Sequence, residues 1–236
     1  MKYYFLLFIF IISFTACSNS DNRKVVDNSE NTSKKQKEDT SYEIADLPIH
    51  IDSTAYLIHP IGNYVIRRGR TKYFDSEDYE VNSSSSVSMN HSKNKITGDL
   101  SNVKFQHLDS NKLKSLTDKT LRINSMLFLR DVYKKNNKGY FVYNVIDADT
   151  NSDGKLNYND LRSLYISNLN GTKFRKLSPN RQELNAWKII IEANKLYFKS
   201  IEDSDKNGEF NKKDKLHYFY LDLDNENSKV IEYYPI

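Results

Sequence analysis

Residues 139–169 read GYFVYNVIDADTNSDGKLNYNDLRSLYISNL, and the way this stretch divides settles the class of fold. Its first part, GYFVYNVID, is rich in aromatic and β-branched residues, which fit a pleated, half-buried surface. Its last part, LRSLYISNL, alternates apolar and polar side chains with the period of two that marks a strand. Neither part carries the 3.6-residue spacing of an amphipathic helix. Between them lies DTNSDGKLNYND, residues 149–160, which sets Asp149, Asn151, Asp153, Asn157 and Asp160 around Gly154. A bare turn needs only the aspartate–glycine pair, which is common in itself. Acids and amides at alternate positions are an additional feature. They crowd like charges that repel one another unless something neutralises them.

The pattern recurs. DSDKNGEFNKKD, residues 203–214, repeats it 54 positions later, with Asp203 for Asp149 and Asp214 for Asp160. NKLYFKSIE before it and LHYFYLDL after it again read as strands. Calcium takes six to eight hard oxygens, and the EF-hand loop presents them from positions 1, 3, 5, 7, 9 and 12 with glycine at 6. Both loops resemble that loop. The first offers Asp149, Asn151, Asp153, the carbonyl of Lys155, Asn157 and Asp160, with Gly154 at the turn. The second offers Asp203, Asp205, Asn207, the carbonyl of Glu209, Asn211 and Asp214, with Gly208 at the turn. Leu156 and Phe210 fall at position 8, where an apolar side chain ties the loop to the core. The resemblance implies calcium as cofactor, about two ions per chain. Position 12 is aspartate in both loops instead of glutamate. Its shorter arm chelates less well through both oxygens, which lowers affinity and makes magnesium possible. The flanks depart from the EF-hand, so strand–loop–strand sites are expected.

Three further segments align without gaps: VKFQHLDSNKLKSLT from Val103, LYISNLNGTKFRKLS from Leu164 and YFYLDLDNENSKVIE from Tyr218. Leu108, Leu169 and Leu223 coincide, and so do Leu116, Leu177 and Ile231. Each segment reads as a β-hairpin with turn residues at its tip. Hairpin and acidic loop together define a repeating unit of four strands, approximately 54–118, 123–178 and 184–236. The expected fold is therefore all-β, with about three repeated four-stranded antiparallel β-propeller-like blades. The calcium loops would join the second and third strands of the last two. In the last unit the strands are expected at roughly 187–192, 196–200, 216–223 and 229–233. In the first, TAYLIHP and NYVIRRG read as two strands and residues 70–102 as a long loop. At LYISNLNGTKFRKLS the chain resembles TolB-like, WD-repeat-like propellers. DTNSDGKLNYNDLRSLYISNLNGTKF is similar to calcium-loop lipoproteins common in Bacteroidetes-type bacteria.

The N-terminus, MKYYFLLFIFIISFTAC, has a lysine, an apolar run from Tyr3 to Ile12, and small residues before Cys17, the one cysteine in 236 residues. The run is short for a bilayer span and reads as a signal segment. The boundary resembles the bacterial lipoprotein box. It implies a signal peptide over 1–16, lipidation of Cys17, a polar disordered tether over 17–43 and a folded body over 44–236. Several acyl chains on that residue would hold the protein to a membrane. The localisation implied is the bacterial cell envelope, as an outer-membrane-anchored lipoprotein facing the periplasm or the exterior.

Aromatic residues make up 13% of the chain, and only 7 Gly and 4 Pro occur, a balance that favours β structure. The formal net charge of +4 is spread without a basic block, which gives no footprint for nucleic acid. His50, His59, His91, His107 and His217 fall in no triad or metal spacing, and no catalytic residue is assigned. The expected function is a lipid-anchored, calcium-binding binding or scaffold module with structural ions. Its partner would be an envelope protein, peptide or glycan. The alternative is a propeller-based hydrolase or carbohydrate-processing enzyme. Asp222 and Asp224 resemble paired glycosidase acids, but DLD leading into a turn reads more simply as a solvated strand end. Carboxylates or histidines converging in a pocket apart from the two loops would favour the enzyme, and a flat aromatic surface would favour binding.

Overall fold

The computed structural model describes residue 25 and residues 41–65, 90–92 and 94–236. The expected signal peptide, Cys17 and most of the tether lie outside the described residues. The fold is all-β and antiparallel. Its elements are β1 (Ser41–Ala45), β2 (Ile49–His50), β3 (Tyr56–Val65), β4 (Asn90–Ser92), β5 (Lys95–His107), β6 (Leu113–Ser115) and β7 (Arg122–Phe128). A short helix α1 (Arg130–Asn136) precedes β8 (Tyr140–Ile146), β9 (Arg162–Asn168) and β10 (Arg175–Lys176). The chain ends with β11 (Gln182–Ile190), β12 (Lys195–Glu202), β13 (Lys215–Asp222) and β14 (Ile231–Tyr233). A ten-stranded sheet runs β1-β3-β5-β7-β8-β9-β10, with β2 on β3 and both β4 and β6 on β5. A four-stranded meander runs β11-β12-β13-β14. Among the described residues neither sheet closes into a barrel. No described helix is long and apolar enough to cross a membrane.

The last unit follows its alternation closely. Three of its four strands begin within two residues of the expected positions. β11 begins at Gln182, five residues ahead of Trp187. Among the described strands the first begins at Ser41, three residues before Ile44, and β1 pairs with β3 from Ser41↔Val65 to Ala45↔Ile61.

The first and middle units differ from expectation. The repeat pattern predicts separate sheets, but β5 joins them. Its N-terminal half pairs with β7 and β4, and its C-terminal half with β3 and β6. The β5–β7 register shifts between Thr97 and Leu100, at Gly98–Asp99. An irregularity of this kind bends a strand and re-aims its edge. β4 and β5 also begin inside residues 70–102, the stretch read as a loop. A second irregularity, at Ser101 between the Leu100↔Gly62 and Asn102↔Ile61 pairs, interrupts alternation and hides Ile96, Leu100, Val103 and Phe105 as one buried set. TAYLIHP from Tyr56 onward and the first three residues of NYVIRRG lie on one strand, β3, which continues through an irregularity at Ile61/Gly62, and residues 66–69 lie outside the described residues. Helix α1 was not expected. Asp131 in its first turn and Lys134 and Lys135 in its last suit the helix dipole. Asn137 closes it with φ of 59°. Seven residues are too few to display a period.

The core has two parts, with β8 between them. Phe141, Tyr143 and Val145 join Ile58, Val103, Phe105, Ile123 and Met126 in one cluster. Tyr140 and Val142 face the other way, into a cluster with Leu164, Ile166, Leu196, Phe198, Phe219 and Leu221. The strand layers thus stack, and β8 is buried on both faces. Burying each large apolar side chain contributes about 1.5–3 kcal/mol. Polar contacts bridge the second interface. Arg162 Nε donates to Glu183 Oε1 at 2.6 Å, Tyr140 Oη to the Leu223 carbonyl at 3.1 Å, and Arg175 to the Ser228 carbonyl at 2.8 Å.

The hairpins share detail. Lys104↔Ser115 and Phe105↔Lys114 in β5–β6 correspond to Tyr165↔Lys176 and Ile166↔Arg175 in β9–β10. The N–H groups of Leu108, Leu169 and Leu223 donate to the carbonyls of Ala55, Gly139 and Asn194 at 2.9, 2.8 and 3.0 Å. The last hairpin is longer: Tyr220 pairs with Ile231, where the alignment places Lys229. Ile231 consequently lies 47% exposed, whereas Leu116 and Leu177 are buried.

Candidate cation loops and an aromatic face

The two acidic loops connect β8 to β9 and β12 to β13, at one end of each strand pair. Their backbones are held alike. The Asp149 carboxylate accepts the N–H of Asp153 at 3.2 Å and of Gly154 at 2.8 Å. Asp203 accepts the N–H of Asn207 at 3.1 Å and of Gly208 at 2.8 Å. Asp153 and Asn207 in turn hold the N–H of Lys155 and Glu209, both at 2.8 Å. Gly154 and Gly208 have φ of +76° and +79°, a region glycine enters without the steric cost a Cβ brings.

Position 12 closes each loop. Asp160 Oδ1 accepts the N–H of Thr150 at 2.7 Å and Oδ2 that of Asn157 at 2.8 Å. Asp214 repeats this with Ser204 at 2.9 Å and Asn211 at 2.6 Å. The position-2 hydroxyls finish the closure: Thr150 Oγ1 accepts the N–H of Leu161 at 2.9 Å, and Ser204 Oγ that of Lys215 at 3.0 Å. Asp160 is fully buried, while Asp214 is half-buried. Leu156 and Phe210 are half-buried at position 8.

The oxygens converge most clearly in the second loop. Asp203, Asp205 and Asp214 bring carboxylate oxygens within 4.8 Å of one another. In the first loop Asn151 stands where Asp205 does, and its Oδ1 accepts the N–H of Asp153 at 3.0 Å. The amides at position 9 point differently from a simple ligand assignment. Asn157 turns Nδ2 to Asp153 at 3.0 Å, and its Oδ1 accepts the N–H of Asn159 at 2.8 Å. Asn211 Oδ1 accepts the N–H of Lys213 at 2.9 Å. Among the described residues, Asp203, Asp205 and Asp214 form the acidic group that could hold a metal ion.

Other residues near the second loop went unnoticed in the sequence. Val25, inside the expected tether, is buried, and its carbonyl oxygen lies 3.3 Å from where a Cβ on Gly208 would stand. It lines a cleft with Arg181, Glu202, Asp203 and Lys206. No signal in a polar segment marks one valine as docked. His217 is buried, with Nδ1 facing Glu232 at 2.7 Å and Nε2 facing Glu202 at 2.9 Å. From β13 it links Glu232 of β14 to Glu202 of β12. Asp222 and Asp224 do not act as a facing pair, because Asp222 Oδ1 accepts the N–H of Asp224 at 2.7 Å in a local turn.

The four-stranded sheet turns its apolar side to the core and leaves the other face uncovered by any described strand. Register places Lys188, Tyr197, Tyr220 and Ile231 in one row across that face, and Ala186, Lys199, Tyr218 and Tyr233 in the next. A cleft of about 240 Å³ opens there, lined by Trp187, Lys188, Tyr197, Lys199, Tyr218 and Tyr233 among others. Burial, and then proximity to Tyr197 and Tyr218, hold the Tyr233 hydroxyl protonated above its ordinary range. The alternation in KLYFK and LHYFYLD was visible in the sequence, but which face lay outward was not.

No protein-family model, curated protein or solved structure matches the chain.

Proposed function

We propose that this chain is a lipid-anchored, calcium-stabilised binding module of the bacterial cell envelope, built from blade-like repeats of one ancestral unit. The observation that carries the cation reading is the convergence of Asp203, Asp205 and Asp214 within 4.8 Å on a loop that the first loop copies bond for bond at positions 1, 2, 6, 9 and 12. Asp149, Asn151, Asp153, Asn157, Asp160 and the Lys155 carbonyl would hold one ion. Asp203, Asp205, Asn207, Asn211, Asp214 and the Glu209 carbonyl would hold the other. Each ion supplies positive charge that relieves carboxylate repulsion and cross-braces adjacent strands. Magnesium competes where the short aspartate arm at position 12 weakens selection. Repeat ancestry draws support from the register that the first two hairpins share and from the three leucine hydrogen bonds. The lipid anchor rests on Cys17 and the apolar run before it. The aromatic cleft favours binding over catalysis as the role of the outer sheet.

Calorimetric titration of the full chain with calcium tests the cation reading. Saturation near two ions per chain is the expected result. Absence of heat at millimolar calcium, with the fold intact, overturns it.

A further inference from the structure

We propose that the outer face of β11–β14 binds an acidic polysaccharide, with sugar rings stacked on Tyr197, Tyr218 and Tyr233 and sugar carboxylates paired with Lys188 and Lys199. This deepens the binding-module reading by naming the partner's chemistry, and it needs neither the ions nor the lipid.

Three features of the face point there together. The first is ring presentation. Tyr233 meets Tyr197 at 5.8 Å and 81° and Tyr218 at 6.1 Å and 63°, so the rings form an angled wall instead of a closed stack. The C–H face of a pyranose carries the slight positive charge that the π face of an aromatic ring attracts. The second is charge. Lys188, Lys195 and Lys199 point outward with Asp222 as the acid in their register, which leaves the face net positive. Lys195 already lies over the Tyr220 ring at 4.6 Å, so Lys188 and Lys199 flank the cleft as the ammonium groups placed for an anion. The third is polarity of the wall. Tyrosine hydroxyls and ammonium groups interleave, matching a ligand whose rim is hydroxyl-rich. An amphipathic helix would call for a row of aliphatic anchors, whereas the cleft is lined by rings and ammonium groups with Ala186, and Ile231 stands one row away. A purely acidic peptide would leave the ring faces unused.

The test uses the full chain in mild detergent, with polygalacturonate as the acidic glycan, dextran as a neutral glycan and polyglutamate as a polyanion without sugar rings. Binding is followed by titration calorimetry. Polygalacturonate is expected to bind, and dextran and polyglutamate to bind about tenfold more weakly or worse. Tyr218→Ala and Lys199→Gln should each weaken polygalacturonate about tenfold, because each removes one of the two contact types. Lys199→Gln keeps the ring wall, so it decides the matter even if Tyr218→Ala loses its fold. Polyglutamate binding as tightly as polygalacturonate overturns the inference, and so does indifference to Lys199→Gln. Self-association abolished by Lys188→Gln would assign the face to a second copy and overturn it too. Calcium titration of the same sample separates the failures. Glycan binding without calcium binding sinks only the cation reading, and the reverse sinks only this one.

Discussion

Asp160 accepts the backbone N–H of Thr150 across 2.7 Å, and its other oxygen accepts that of Asn157 across 2.8 Å. One buried carboxylate thus ties the start of the loop to its end. Asp160→Asn keeps one acceptor oxygen and turns an NH2 group towards an N–H donor. The cost should be about 1–3 kcal/mol, the penalty of leaving a buried donor unmatched. Asp214→Asn should cost less, because Asp214 is half-buried. Urea unfolding of both variants in chelator, where no ion contributes, checks the order.

The loop glycines should respond unequally. A Cβ at Gly154 meets nothing within 4 Å, so Gly154→Ala carries only the positive-φ strain of about 1–2 kcal/mol. At Gly208 a Cβ also presses on the Val25 carbonyl at 3.3 Å, so Gly208→Ala should be the more destabilising. Gly154→Val adds β-branching to the strain and should reduce calcium stoichiometry to one ion. Two ions bound in that variant would count against the assignment of the first loop.

Calcium should raise the melting temperature. At a hundredfold excess over the dissociation constant, one site contributes about 2.7 kcal/mol. For a domain of this size that corresponds to about 5–10 °C per site. Scans in chelator and in millimolar calcium that superimpose would refute structural ions.

Alkaline pH should destabilise the fold. Burial, followed by Glu226 and Asp224, pushes Tyr140 up to about 12 from 10.0. Burial also raises Tyr143, and burial with Asp147 raises Tyr165. In each case the folded state favours the protonated phenol. The stabilisation is complete below pH 10 and is lost as pH rises from there through the folded-state values. Tyrosinate absorbance should therefore appear in two steps, the second coinciding with loss of structure by circular dichroism. A single step at the ordinary tyrosine range with the fold retained would contradict the buried phenols.

Gly171→Ala tests the stacking of layers. A Cβ there would lie 2.5 Å from the Phe105 ring, and φ is +75°. Overpacking and backbone strain together should cost roughly 2–4 kcal/mol, read from the urea midpoint. A midpoint unchanged from the parent would mean that the middle hairpin tip does not rest on Phe105.

Local pattern carried far in this chain. The alternation in GYFVYNVID and LRSLYISNL and the spacing of Asp149 to Asp160 specify strand, loop and strand, because side-chain period and turn chemistry depend on near neighbours alone. The last meander was legible to within a few residues for the same reason, save the early start of β11. Remote partners decided the rest. β5 obeys no clean alternation, since its irregularities at Gly98–Asp99 and Ser101 let it serve two neighbours, and only packing of Ile96, Leu100 and Phe105 against β7 and β8 chooses them. The docking of Val25 beside Gly208, and the outward turn of Tyr197, Tyr218 and Tyr233, follow from which surfaces find cover once the layers stack. A period of two says that a strand has two faces. Burial in the assembled core says which one meets water.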